Sequence, residues 1–392
     1  MGLLRLLLEI SVLASHSGQI LFFQFPVGST AVRIFFMISG FYMALILDKK
    51  YLRLTNGYRL FITNRFLRLY PIYWIVLLLT LAVCAAAYFG FRQPYLLKAF
   101  ATERDHPSLW GWGVIVFSNL FIFLQAALNF VSFQDGNSFV IGKEGAVPGW
   151  HFLLVPQAWS IGLELSFYAV SPFFVKRSWQ FVAGFAIGCY GLMYVLHLVE
   201  GQVGYFGPWG QRFFPAGLIY FLAGVVAYKL YERHFKKYYT KPFASALLVV
   251  WIGVTSFYVY MPDPEGTGYL FYCFLSFVTI PFVFALSNKW KWDRFIGELS
   301  YPAYLSHYVC IGMVAFVLKR FPDSSPWLGE LSLLVTMAVS LAMLRFISIP
   351  IDRIREERVL RSERALAESE RLDNSMAQSG DLKGVTNADK QV

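Results

Sequence analysis

Charge is scarce in this chain. Only 15% of its 392 residues are Asp, Glu, Lys or Arg, where a soluble domain carries about 25%. That shortage excludes an ordinary water-soluble enzyme. The four cysteines, Cys84, Cys189, Cys273 and Cys310, lie singly in apolar stretches. A disulfide framework is thereby excluded, and no His or Cys spacing suits a metal. No internal repeat of solenoid length is present. The N-terminal run is expected to be a retained first span and not a cleavable leader, because Arg5 and Glu9 interrupt it and His16 stands where small residues should be. Met1-Gly2 begins like a myristoylation signal, but Leu6 occupies the required Ser/Thr position.

What the chain has is hydrophobicity: 57% of residues are apolar and 19% aromatic. Apolar segments lie near 3–25, 30–47, 71–91, 109–130, 153–175, 180–199, 213–231, 243–261, 268–287, 301–318 and 328–350. Runs close to twenty residues imply an all-α polytopic membrane protein in contact with the lipid bilayer. The net charge of +10 then reads as topology and not as nucleic-acid binding. Lys49, Lys50, Arg53, Arg59, Arg65 and Arg68 crowd the loop 48–70, and Lys229, Arg233, Lys236, Lys237 and Lys241 crowd 229–241. Both loops are therefore expected on the cytoplasmic side, while the acidic loop at Asp263 and Glu265 suits the outside. Five candidate segments lie between the two basic loops, and an odd number cannot return the chain to the same side. One of them does not cross. The stretch 109–130 is the best suspect, since Ser118, Asn119, Gln125 and Asn129 punctuate it. The expectation is about ten full spans plus one re-entrant or half-buried segment, with both termini cytoplasmic. Residues 1–350 form the membrane domain. From Asp352 the charges alternate in sign, as on a solvated helix, and from about 374 the tail is expected to be disordered.

Several polar residues fall inside the apolar segments. Arg5, Glu9 and His16 share one helical face, and charge near a span centre costs about 2.5–3.5 kcal/mol per residue. The stripe should therefore face a cavity, with His16 about 16 Å beyond Arg5 along the axis. A buried histidine bonded for packing is the structural alternative. In 159–168 the residues Ser160, Glu164 and Tyr168 are spaced to share a face. Glu164 is suited to orient a histidine, pair with an arginine or bind a sugar. Arg65 and Arg68, three apart, suit phosphate, although membrane-side anchoring also explains such clusters. Ser300 is placed to cap a helix with Pro302 near its start, which puts Ser300, Tyr304 and His307 on one face. His307 fits interhelical packing better than catalysis. Ser39 and Gly40 permit close helix approach.

Taken in order, these stretches resemble the membrane acyltransferase-3 family. Arg5 and His16 match its first-helix pair. Phe35–Phe41 matches a Phe-Phe-x-x-Ser-Gly-Phe segment, and Asn64–Trp74 an Arg-x-x-Arg segment followed by Pro and Tyr. Trp159–Tyr168 matches a Trp-Ser-x-x-x-Glu-x-x-Phe-Tyr signature, and Ser300–His307 is a weaker fifth element. The resemblance implies a standalone O-acyltransferase, without a fused hydrolase-like domain, in the bacterial inner membrane. It would move an acyl group, acetyl in many relatives, from cytoplasmic acyl-CoA to a hydroxyl of a carbohydrate or glycolipid. His16 would be catalytic with Arg5 as partner, Glu164 a functional acid, and Arg65 and Arg68 donor-binding. Glu9, Ser39, Ser160, Tyr168, Tyr304 and His307 are further candidates. A transporter or flippase of polyprenyl-linked sugars is the alternative, and it predicts inverted repeats that the sequence does not display.

Overall fold

A computed structural model describes the chain except for residues 92–96, 105, 141–145, 201–207, 320, 322–325 and 389–392. The helices are α1 Gly2–Ser17, α2 Gly28–Lys49, α3 Gly57–Phe91, α4 Lys98–Thr102, α5 Leu109–Leu120, α6 Trp159–Lys176 and α7 Trp179–Glu200. They continue as α8 Pro208–Arg212, α9 Phe214–Leu230, α10 Lys241–Ser256, α11 Thr267–Ser287, α12 Lys291–Leu318, α13 Leu328–Met343 and α14 Ile349–Ala388. Among the described residues, eight helical stretches are long and apolar enough to cross a membrane. The chain is an all-α polytopic membrane protein. The expectation of about ten spans also includes α1 and α10. Each has only 16 residues, about 24 Å at the rise of an α-helix, short of a bilayer core of about 30 Å.

Contacts between chain ends sort the molecule into two poles. At one pole Lys49 pairs with Glu232 at 3.4 Å, and the Met1 amine pairs with Asp293 at 2.6 Å. The Tyr228 hydroxyl donates to Asp48 there, and the Asn64 amide reaches the Arg355 carbonyl. The two basic loops, 48–70 and 229–241, meet at this pole. At the other pole the Gln24 N–H bonds the Ser256 carbonyl, and the Leu21 N–H bonds Glu330. Thr267 caps the adjoining turn, its N–H and hydroxyl holding the exposed Asp263 carboxyl below the usual range.

The stretch 109–130 is broken as its polar residues suggest. Leu109–Leu120 and Ile122–Phe130 meet at 114°. Ser118, Asn119 and Gln125 are buried at the bend. Asn119 donates to the Phe152 carbonyl at 2.8 Å and accepts from the Leu154 N–H. Gln125 donates to the Tyr73 hydroxyl, which in turn donates to the Asn119 carbonyl. The backbone freed at the break is satisfied by protein, as an apolar surround demands.

Four boundaries differ from expectation. The first helix stops at Ser17, where Gly18 takes φ 97°, not near residue 25. The third begins at Gly57, so most of the expected loop 48–70 is helix and Pro71 is interior. Charge reveals which side a segment occupies but not whether it is coiled. Likewise α12 starts at Lys291, so Ser300 is no N-cap; its hydroxyl bonds back to the Gly297 carbonyl. The tail is not detached either. It continues α13 through a π-helical turn at Leu344–Ser348 and packs on α3. Side chains past 371 lie outside the described residues, but the backbone continues as helix to Ala388 through the stretch from about 374 that was expected to be disordered. A small antiparallel sheet, order β2-β1-β3, was unexpected: β1 Val131–Gln134, β2 Asn137–Val140 and β3 Val147–Pro148, with Ser132 opposite Phe139 and Pro148. Its signal was in the sequence. Asp135-Gly136, both at positive φ, is the dipeptide that closes a two-residue hairpin.

Helices α2 and α9 cross so closely that glycine is obligatory. A Cβ on Gly40 would strike the Phe221 carbonyl oxygen, and one on Gly224 the Met37 carbonyl oxygen. Backbone cannot yield as a side chain does. Gly40→Ala and Gly224→Ala should each lower stability by about 1–3 kcal/mol, the usual range for overpacking. A thermal unfolding series in detergent checks this, and unchanged midpoints in both would show that the crossing has slack.

Candidate active site

A cavity of about 610 Å³ opens at the basic pole. Helix α1 contributes Arg5, α2 contributes Phe35, Ser39 and Tyr42, and α3 contributes Arg65 and Arg68. Helix α6 adds Ser160, Glu164 and Tyr168; α12 adds Glu298, Ser300, Tyr301 and Tyr304; α14 adds Asp352 and Arg355. The expected α6 face is thus present as read, every fourth residue turned inward. Glu164 Oε1 accepts from the Ser39 hydroxyl and from Tyr168 at 2.6 Å. The carboxylate is locked between two helices by hydroxyls and forms no ion pair among those the structure shows.

The two α3 arginines have different surroundings. Arg68 donates to Glu298 at 3.1 Å. Arg65 is 7% exposed and its Nε has no hydrogen-bond partner. Its guanidinium lies 5.6 Å from the Phe61 ring and 5.8 Å from the Tyr168 ring. Guanidinium N–H groups held against aromatic faces beside a cavity are placed to receive an anion.

The α1 stripe splits among three environments. Arg5 reaches the cavity. Glu9 is fully buried, and neither carboxylate oxygen has a hydrogen-bond partner. His16 is exposed in the last turn at the opposite pole and is not part of the cavity wall. The expectation of a single cavity along the stripe is corrected: α12 packs along α1 and seals the interval. His16 instead meets His307, ring centroids 5.5 Å apart and 19° from parallel, and the edge of Tyr308 at 5.3 Å. His307 is fully buried, its Nδ1 2.7 Å from the Tyr304 carbonyl oxygen and its Nε2 without a partner. Tyr304 closes the inner end of the cavity. Its hydroxyl lies 2.7 Å from the Ser160 hydroxyl and donates to the Gln157 carbonyl at 3.1 Å. Its ring is 5.8 Å from His307. A continuous row, Tyr304, His307, His16, therefore joins the cavity to the opposite pole. His106, His151 and His234 lie away from it, and the side chain of His197 is outside the described residues.

Sequence reasoning missed Glu298, Tyr301, Asp352 and Arg355. Glu298 stands two residues before the Ser300–His307 stretch, and a carboxylate on a span is itself a signal. No group of three or more His, Cys, Asp or Glu residues is placed to hold a metal among the described residues.

The acyltransferase domain of the acyltransferase 3 family matches residues 1–345. The chain belongs to the acyltransferase 3 family. It is a multi-pass membrane acyltransferase that transfers groups other than aminoacyl. An uncharacterized protein of Aquifex aeolicus (strain VF5) is 23% identical over 226 residues, 56% of this chain and 96% of that one. The exopolysaccharide production protein ExoZ of Rhizobium meliloti (strain 1021) is 27% identical over 167 residues, 42% of this chain and 40% of that one. No solved structure matches.

Within the cavity, Arg68 and Glu298 are a structural pair first. Arg68→Ala strands the Glu298 carboxylate, whereas adding Glu298→Gln removes the stranded charge. The single variant should be less stable than the double, with a coupling energy of about 0.5–3 kcal/mol in a double-mutant cycle. Additive losses would show that the pair is not energetically joined.

Proposed function

We propose that this acyltransferase moves an acyl group, acetyl in its simplest form, from acyl-CoA at the basic pole to a carbohydrate hydroxyl at the opposite pole. The basic pole is cytoplasmic in this reading, both termini included, by the distribution of Lys and Arg. A cell-surface or exported polysaccharide is the favoured acceptor class, because ExoZ is named for exopolysaccharide production. The membrane is the bacterial inner membrane, where a cytoplasmic thioester and an outward-moving glycan meet.

One observation carries the reading. A cavity with arginines at its mouth ends at Tyr304, and beyond Tyr304 a pair of histidines leads to the other face. Anionic phosphates of the donor are held by Arg65 and Arg68. The thioester arm extends inward past Ser39 and Glu164 towards Tyr304. To reach His16 it displaces the hydrogen-bonded contact of Tyr304 with Ser160 and Gln157. A sugar hydroxyl is a weak nucleophile at neutral pH and gains from a positioned base. His16 takes the hydroxyl proton as the oxygen attacks the thioester carbonyl. The C–O bond forms, the C–S bond breaks, and the proton passes from the imidazole to the departing thiolate. Arg5 lies on the donor side, where its charge favours the bound donor, and Glu164 holds the α2–α6 wall along which the arm runs.

His16→Ala should lower acyl transfer by about 10²–10⁴, the range for loss of a general base, while CoA binding survives. His307→Ala should reduce stability more than turnover. The measurement is acyl transfer from acetyl-CoA to bacterial surface glycan extracts, normalised to folded protein. Near-normal turnover in His16→Ala, with His307→Ala inactive yet folded, would move the chemistry to α12. An acyl group trapped on the imidazole of the wild type would replace general-base by covalent catalysis.

A further inference from the structure

The family match ends at residue 345, and α14 begins just past it, at Ile349. Yet α14 is built into the cavity. Arg358 donates from Nη1 to Asn64 Oδ1 at 2.9 Å and from Nη2 to the Thr63 hydroxyl at 2.8 Å. Asn64 Nδ2 reaches back to the Arg355 carbonyl, and Val359 is buried. These contacts fasten α14 to the turn of α3 that carries Arg65 and Arg68. They leave Asp352 and Arg355 as part of the cavity wall.

Arg355 is the unusual member. Its side chain is 11% exposed. One N–H group is taken by Asp352, but Nε is buried and has no hydrogen-bond partner. The Nε of Arg65 is in the same condition on the same cavity. A guanidinium carries five donors, and leaving a buried one unmet is unfavourable. Of the carboxylates lining the cavity, Glu298 serves Arg68, Asp352 one nitrogen of Arg355, Asp293 the Met1 amine and Glu164 two hydroxyls, while Glu356 is exposed. Several anionic oxygens are what the remaining donors require, and a phosphate group brings them in one ligand.

We infer that the first turns of α14 form a third side of the donor site, with Arg355 and Arg65 together binding the phosphates of a nucleotide-linked thioester. The inference rests on the proposed reading that the cavity takes acyl-CoA. It makes the tail helix part of the enzyme's binding machinery and not an appendage.

The test is calorimetric titration of the full chain in nanodiscs with CoA, 3′-dephospho-CoA and pantetheine. Arg355→Ala should weaken CoA binding roughly ten- to a hundredfold, the worth of one to two charge-assisted hydrogen bonds, and leave pantetheine unchanged. Arg355→Gln keeps a donor for Asp352, so it should fold even where alanine does not, and should still lose CoA affinity. Arg361→Ala, at a solvent-exposed site on the same helix, should change nothing. The contrast between CoA and 3′-dephospho-CoA locates the phosphate: loss confined to CoA assigns Arg355 to the 3′-phosphate, and equal loss assigns it to the diphosphate. If Arg65→Ala loses CoA while both Arg355 variants keep it, the role of α14 is overturned and the donor reading stands. If wild type does not bind CoA, or neither arginine matters, the donor reading itself fails. Repeating the titration with and without anionic lipid separates sources: an Arg355 effect that appears only as lost lipid competition would make the ligand a headgroup and overturn the assignment.

Discussion

An ion or dipole withdrawn from water must be met by protein, and this requirement organises the molecule. The Arg68–Glu298 pair ties α3 to α12, and the Ser39 hydroxyl on Glu164 ties α2 to α6. The Met1 amine on Asp293 ties α1 to α12. Each bond joins two helices at the basic pole and each lies on or beside the cavity. Apolar packing alone would favour a closed bundle. Polar groups that need one another, but are too many to pair fully, hold the helices at a distance and leave space between them.

That space is asymmetric. Arg5, Arg65, Arg68 and Arg355 line the cavity on one side of Tyr304, and His307 and His16 lie on the other. Between them stands the hydrogen-bonded contact of Tyr304 with Ser160 and Gln157. An acyltransferase that opened fully through the membrane would leak protons and hydrolyse its donor. A barrier of hydroxyl and amide groups, each with an alternative partner close by, resists water yet exchanges partners at small cost compared with breaking a packed apolar core.

Much of this was legible in residue spacing. Ser160, Glu164 and Tyr168 share a face because a helix repeats every 3.6 residues, and the structure turns that face to the cavity. The break in 109–130 was visible as polar residues in an apolar run, combined with the parity of basic loops. Depth was not legible. Spacing gives the angle of His16 relative to Arg5 but not which walls close over the interval, so the single cavity expected along α1 is in fact divided. Long-range partners were hidden too. Arg68 and Glu298 are 230 positions apart, and nothing local to either residue names the other. Arg355 was read as part of a solvated helix because alternating charge looks the same whether one face meets water or a neighbouring helix.

The glycine crossing of α2 and α9 has a mechanical consequence. Carbonyl oxygens of each helix sit against the glycine of the other, so no side chain lies between them to act as a cushion. Gly40 is adjacent to Ser39, and Ser39 belongs to the cavity wall. That wall is therefore stiff. On the other flank α14 is attached to α3 by side-chain hydrogen bonds from Arg358 and Asn64, which stretch and rotate far more easily than touching backbones. The pocket is a vice with one jaw of touching backbones and one jaw held by side chains alone.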